Sequence, residues 1–322
     1  MRLYWFALIP ILFLSACLPV LAFPPLPTVA VLPSPIPQPP AREIPIATPT
    51  FTITPTETLL PSQTPFPSAT LPPSPTLLPI GLGLDPADWK NWPVNPIVPR
   101  RAREIYQIGQ VQGNDPHAFS VFGDCQAEPG VFMSVFETEP TVFASLPSNL
   151  QETVSWFRGS FNRESPTVKG GTTTGALMYP PWHQNMYTCS PYETPLQCEL
   201  RIHKPAFVII QVGTHYESHN DTYMRKVLDQ VIAAGVVPIL ATKADDSELD
   251  EHVNAEYAQL AVEYAIPFWN FWAAVKDLPN HGLHTRPGLE KQGPIYLIGE
   301  AVILHRTTAL QALDTVWRAV AK

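Results

Sequence analysis

Positive charge is scarce in this chain. Lysine and arginine number 20 against 28 aspartates and glutamates, and the formal net charge is −8. Polyanions and anionic lipid surfaces are held chiefly by cationic side chains, so neither nucleic acid nor such a surface is expected as the main partner. Long hydrophobic runs are scarce too. The apolar stretch Phe6–Leu14 falls well short of the roughly 20 residues a membrane helix needs. No internal repeat marks the globular part. Cysteines number only four, at Cys17, Cys125, Cys189 and Cys198, and nothing around them has a zinc spacing. No metal and no cofactor is expected, and a monomer is.

Proline is what the chain has in quantity. Most of its 39 prolines lie between Cys17 and about residue 98. Residues 18–84 are dominated by Pro, Thr and Ser, as in "TPTFTITPTETLLPSQTPFPSATLPPSPT". Proline fixes φ and removes amide donors, so this composition predicts a disordered stalk of extended polyproline II character. Its hydroxyls are candidate O-glycan acceptors. Residues 85–322 are long enough for one α/β domain with a sizeable core.

Residues 1–17 read "MRLYWFALIPILFLSAC". Arg2 is a minimal positive region, the apolar run follows, and "LSAC" ends it. This resembles the lipobox of a bacterial lipoprotein signal. The resemblance implies cleavage before Cys17, a diacylglycerol on its thiol, and a lipid-anchored, extracytoplasmic protein at the cell surface. An ordinary signal peptide or an uncleaved anchor is the alternative. With Cys17 acylated, three thiols remain. Outside the cytoplasm thiols tend to pair. Cys189 and Cys198 are the natural couple, because "CSPYETPLQC" closes a short proline-containing loop. That pairing, which sequence cannot prove, leaves Cys125 odd.

Along the globular part, "AFSVF" (118–122) reads as a buried strand and 149–157 as a helix with Leu150, Val154 and Phe157 on one face. "AFVIIQVG" (206–213) and "VVPILAT" (236–242) are continuous apolar runs of the kind found in parallel sheets. Helices are predicted over 222–235, ended by Gly235, and over 251–265 and 306–321, with strand-like "IPFWNF" over 266–271. This alternation predicts a central parallel sheet with helices on both faces. Ligand sites in such sheets lie at the carboxyl ends of the strands. Three segments fall there: Gly123–Gln126, Gly213–Tyr216 and the loop after Phe271.

Those segments, in that order, resemble the four sequence blocks of the SGNH (GDSL-type) hydrolase superfamily over about residues 117–321. The resemblance implies a three-layer α/β/α sandwich of flavodoxin-like form and ester hydrolysis by serine, with oxyanion donors and a histidine base. In "FGDCQ", Gly123 and Asp124 match the first block, and Cys125 stands where the family has serine. Gly171 of "GGTTTG" matches the oxyanion glycine, with Gly170 as a one-residue alternative. "VGTHY" keeps Gly213 but has His215 in place of asparagine and Tyr216 in place of aspartate. In "LPNHGLHTRPG", His284 takes the place of the base and His281 that of its aspartate. His305, just before the predicted closing helix, is a third and poorer candidate.

These departures have chemical consequences. A thiol titrates near about 8.5, so a few per cent is thiolate near neutrality unaided. A helix N-terminus after Cys125 would lower that value and Asp124 would raise it. Thiolate leaves more readily than alkoxide, so thioesters and activated esters suit Cys125 better than sugar acetates. Losing an oxyanion donor costs on the order of 10²–10³ in rate. Losing the carboxylate that sets the histidine tautomer costs about 10⁴. Three readings follow: a thiol-based hydrolase or acyl transferase acting on a small-molecule or glycan acyl ester; an inactive module binding cell-wall or extracellular glycans; and a surface protein whose stalk matters most. Cys125 is then either nucleophile or buried thiol. Metal binding by Cys125 with two histidines is a minor fourth. Trp156, Trp182, Trp269 and Trp272 are expected in the core, with Trp182 of "YPPWHQ" the best candidate to stack on a ligand.

Overall fold

The computed structural model describes residues 78–183, 187–212, 219–245 and 250–322. The chain enters through a 3-10 turn (Pro86–Asn91) and α1 (Arg100–Gln112). β1 (Asp115–Gly123) follows, then α2 (Val135–Thr138), α3 (Pro140–Ser145) and α4 (Ser148–Trp156). The short α5 (Thr174–Leu177) and α6 (Pro195–His203) lead into β2 (Pro205–Gln211). Next come α7 (Asn220–Ala233), β3 (Val237–Ala241), α8 (His252–Tyr264), β4 (Phe268–Trp269) and α9 (Phe271–Val275). An antiparallel ribbon of β5 (Leu283–His284) and β6 (Tyr296–Leu297) precedes α10 (Glu300–Ala321).

The four main strands form one parallel sheet in the order β1-β2-β3-β4. Every residue of β2 and of β3 is buried, as their unbroken apolar sequences require of strands covered on both faces. On the outer side of β1, Gly123 makes a single parallel bridge to Val168. Its N–H donates to the Thr167 carbonyl at 3.0 Å, and the Lys169 N–H donates to its carbonyl at 3.3 Å. α1 and α10 pack on each other and on β3, and α7 and α8 do the same. The chain is therefore a mixed α/β protein with helices packed on a parallel sheet.

Local chemistry explains the boundaries. α6 starts in a capping box between Thr194 and Gln197, with Pro195 at its first turn, where a missing N–H costs nothing. α1 ends at Gly113, in the left-handed region. Gly109 of α1 crosses the turn after α7 at Gly235 so closely that a Cβ on Gly109 would lie 2.0 Å from the Gly235 carbonyl oxygen.

Three boundaries differ from the sequence expectation. The strand-like run 266–271 yields a two-residue β4, because Asn270 turns the chain into α9 and caps it by accepting from the Ala273 N–H. The closing helix starts at Glu300, so His305 lies inside it. α1 has only Ala102, Ile105 and Gly109 buried, too few apolar positions to announce a helix. Among the described residues, no helix is long and apolar enough to cross a membrane.

Packing starts ahead of residue 85: Leu78 rests half-buried against the core and Leu82 is buried. Trp89 and Trp92 follow it into the core, edge-on to Trp272 and Phe268 at 5.1 and 5.0 Å. The Asn270 amide donates to the carbonyls of both, at 2.7 and 3.3 Å. Trp92→Ala is expected to cost about 3–5 kcal/mol, the usual loss for a buried aromatic, read as a shift in the urea midpoint.

Candidate functional site

β1 carries its last residues to the carboxyl end of the sheet. Gly123 must be glycine there, since a Cβ would meet the Ala127 Cβ at 2.2 Å. Asp124 follows, 2% exposed, and turns inward onto the Lys243 ammonium in a close ion pair. Lys243 also reaches Asp245 at 3.4 Å; both are 1% exposed. The backbone of Lys243 is fixed from α8: its N–H donates to Asn254 Oδ1 at 2.9 Å, and Asn254 Nδ2 donates to its carbonyl at 3.0 Å. Gln126 closes the group. Its N–H donates to Asp124 Oδ1 at 3.0 Å, and its side-chain amide donates to Asp245 Oδ1 at 3.2 Å and to the Ile295 carbonyl. Lys243 thus ties the ends of β1 and β3 together across 119 residues.

Cys125 sits above this group, half-buried and free of any disulfide. The chain after it runs through turns, and no helix starts before α2. The expected help from a helix N-terminus is therefore missing. Burial pushes the thiol up to about 11, Asp124 adds to the rise, and Lys243 opposes it. The expectation of a few per cent thiolate near neutrality is corrected accordingly.

The glycine pair lies beside Cys125. A Cβ on Gly170 would lie 3.7 Å from the Cys125 Cβ. The Gly170 N–H is committed to Glu128 Oε1 at 3.0 Å. Gly171, at φ +82°, presents an N–H that, like that of Cys125, takes no partner among the described residues. Trp182 stands next to Gly171, half-buried, its indole N–H donating to Thr172 Oγ1 at 3.0 Å and Lys169 over its ring at 5.1 Å.

His284 lies on β5, with Nδ1 2.8 Å from the Tyr296 carbonyl of β6. A carbonyl only accepts, so in the neutral ring Nδ1 carries the proton and Nε2 holds a free lone pair. A backbone carbonyl thus fixes the tautomer and orientation of this ring, without the negative charge a carboxylate would bring. His281, at φ +52°, faces the Ala244 carbonyl at 3.3 Å and packs edge-on to Trp272. Among the described residues, no histidine nitrogen is hydrogen-bonded to the Cys125 sulfur. Gly213, His215 and Tyr216, and Cys17 with the whole leader and stalk to residue 77, lie outside the described residues.

His305 is buried between Phe132, Trp269 and Phe271, and its Nε2 donates to Gln211 Oε1 at 2.6 Å. Burial drops it to about 3, so its imidazole is neutral at ordinary pH. His203, lowered to about 4 by burial and then by Arg163, behaves alike. Unfolded histidine titrates near about 6.5. The unfolded chain therefore takes up protons that the folded one refuses, so stability is full above that pH and is lost as pH falls toward these values. At pH 4.5 the loss from His305 should be about 2–3 kcal/mol. His305→Gln is expected to flatten the fall in urea midpoint between pH 7 and 4.5; an unchanged slope would count against the buried neutral ring.

Cys189 and Cys198 form a disulfide with Cα atoms 5.4 Å apart. Glu193 joins them in the one grouping with metal-ligand proximity among the described residues, but the bridged sulfurs leave it a single ligand. The ion-paired lysine is the residue that sequence reasoning missed. "ATKAD" reads as a polar turn after a strand, and only the meeting with Asp124 buries it. Set against known proteins, the chain matches no family model and no curated protein.

Proposed function

We propose that the domain is an SGNH-type hydrolase of three-layer α/β/α form, carried on a proline-rich stalk from a lipid-anchored Cys17 at the bacterial cell surface, with Cys125 as nucleophile of acyl transfer from esters or thioesters. The observation that carries this reading is the surroundings of Cys125: a thiol at the carboxyl end of β1 with two amides, its own and that of Gly171, that take no partner among the described residues. The sheet supports it as well. Counted with the Val168 bridge as a rudimentary second strand, the strand order is 2-1-3-4-5, the flavodoxin-like order whose ligands bind outside the strands' carboxyl ends.

In this mechanism His284 Nε2 takes the thiol proton and the sulfur attacks the acyl carbonyl carbon. The oxyanion accepts from the Cys125 and Gly171 amides, and His215 is the family-like third donor. The imidazolium returns its proton to the leaving thiol or alcohol as that bond breaks. Water, deprotonated by the same nitrogen, then cleaves the acyl–sulfur bond and restores the thiol. Substrate binding has to close the gap between Cys125 and His284, as catalytic hydrogen bonds often tighten only in the substrate complex.

A second reading is favoured by the thiol raised to about 11: the same crevice binds a ligand, such as an extracellular glycan, without turnover. Short-chain acyl thioesters and p-nitrophenyl esters separate the two. Thiol catalysis requires turnover that disappears in Cys125→Ala and drops by about 10²-fold or more in His284→Ala. Equal background rates in parent and both variants would reject it and leave the binding reading.

A further inference from the structure

The cavity beside Cys125 has a volume of about 170 Å³. At about 30 Å³ per water in the liquid, that is space for between five and six waters, or a short acyl chain. Its walls carry two cations whose charge no carboxylate among the described residues meets. Arg286 and Arg306 face it from the loop after β5 and from α10. Neither guanidinium has a carboxylate partner among the described residues: Arg286 lies over the Tyr296 ring at 3.8 Å, and Arg306 donates only to the Val131 carbonyl, at 3.2 and 3.0 Å. No acidic residue among the described ones lines the cavity. Asp124 and Asp245 lie below Cys125 and share Lys243, while Glu128 is turned to the Gly170 amide.

Gln126 supplies a second, independent sign of a ligand. It is 6% exposed and lines the same cavity, and its Oε1 has no hydrogen-bond partner among the described residues. Both protons of its amide are spent on Asp245 and Ile295, which fixes the oxygen as the end left over. A buried carbonyl left unpaired costs free energy that a donor on a bound molecule would recover. The rest of the wall is aliphatic at Val131, Leu297 and Val302 and aromatic at Tyr296 and His305.

The geometry points to a pocket for a short acyl chain whose far end carries a carboxylate, held by Arg286 and Arg306, with a donor on the ligand meeting Gln126 Oε1. This names the substrate class of the site proposed above and rests on that reading only for turnover, not for binding. Guanidinium forks match carboxylates two bonds at a time, and two arginines around one cavity with no carboxylate partner among the described residues suit an anion.

The test uses the full-length protein and two probes that differ only at the far end, the succinyl and butyryl thioesters of N-acetylcysteamine. The expected preference in kcat/KM for succinyl is about tenfold or more, the worth of one charge-assisted hydrogen bond. Arg286→Gln, on an exposed residue that folding does not need, should bring the two substrates to within about twofold of each other. Arg306→Gln should do the same and Arg306→Lys should lie between. Calorimetry on Cys125→Ser with monomethyl succinate and methyl butyrate reads the pocket without turnover. Turnover with no succinyl preference overturns the anion pocket and spares the hydrolase. Binding of monomethyl succinate that Arg286→Gln removes, with no turnover of any thioester by the parent, overturns the hydrolase and sustains the pocket. Neither turnover nor binding overturns both. A phosphonate-ended analogue of the same chain length, the 3-phosphonopropionyl thioester, that outcompetes succinyl would overturn the carboxylate assignment.

Discussion

Lys243→Met should lower the stability of the domain by about 3–5 kcal/mol, the usual result of stranding a buried charge. In a domain of this size that is on the order of 10 °C in Tm. The reason is that Asp124 and Asp245 are both buried and share this one ammonium. Methionine fills the space but leaves two carboxylates facing each other out of water. The deficit is that of two like charges buried without their shared cation. Adding Asp124→Asn and Asp245→Asn should recover most of it at neutral pH. An unchanged melting temperature in Lys243→Met would mean that water already reaches the group.

Alkylation of Cys125 by iodoacetamide should climb about tenfold per pH unit and level off only near pH 11, the value to which burial and Asp124 push the thiol. At pH 7 the thiolate fraction, and with it the rate, should be on the order of 100-fold below that of an unperturbed thiol. Asp124→Asn should speed the reaction at fixed pH. Lys243→Met should slow it, because Lys243 opposes the rise. A midpoint at or below pH 8 in the free protein would mean that a histidine already activates the sulfur, and the proposed need for substrate-driven closure would fall away.

The parts of the fold legible in the sequence are those whose burial is continuous along the chain. β2 and β3 are unbroken apolar runs, and they form the covered middle of the sheet. α4 and α8 fall within a residue or so of their apolar periodicity. β4 is shorter than its apolar run suggests, because hydrophobicity does not reveal that Asn270 spends its amide on Trp89 and Trp92, some 180 residues earlier. α1 hides because its docking depends on small residues instead of apolar ones.

The candidate site divides the same way. Cys125 was legible as an odd thiol at the end of a strand. The lysine beneath it, the Tyr296 carbonyl that fixes His284 and the two arginines of the cavity were not. Lys243 and Arg306 meet partners far away in sequence, at Asp124 and Val131, and the partners at Val131 and Tyr296 are backbone atoms, whose positions no residue name encodes.

The crossing of Gly109 and Gly235 bears on how genetic variation in this protein should be read. A side chain added at either position would run into the other's backbone, within 2.0 Å in one direction and 2.3 Å in the other. Gly235 is further confined by its φ of +67°. No compensating exchange elsewhere can make room, because the obstacle is main chain on both sides. Alleles altered at 109 or 235 should therefore vanish from cells through misassembly, and in a survey of variants these two positions would score as strictly as the crevice does. Abundance measured beside activity tells the two kinds of intolerance apart, and only the second speaks of chemistry.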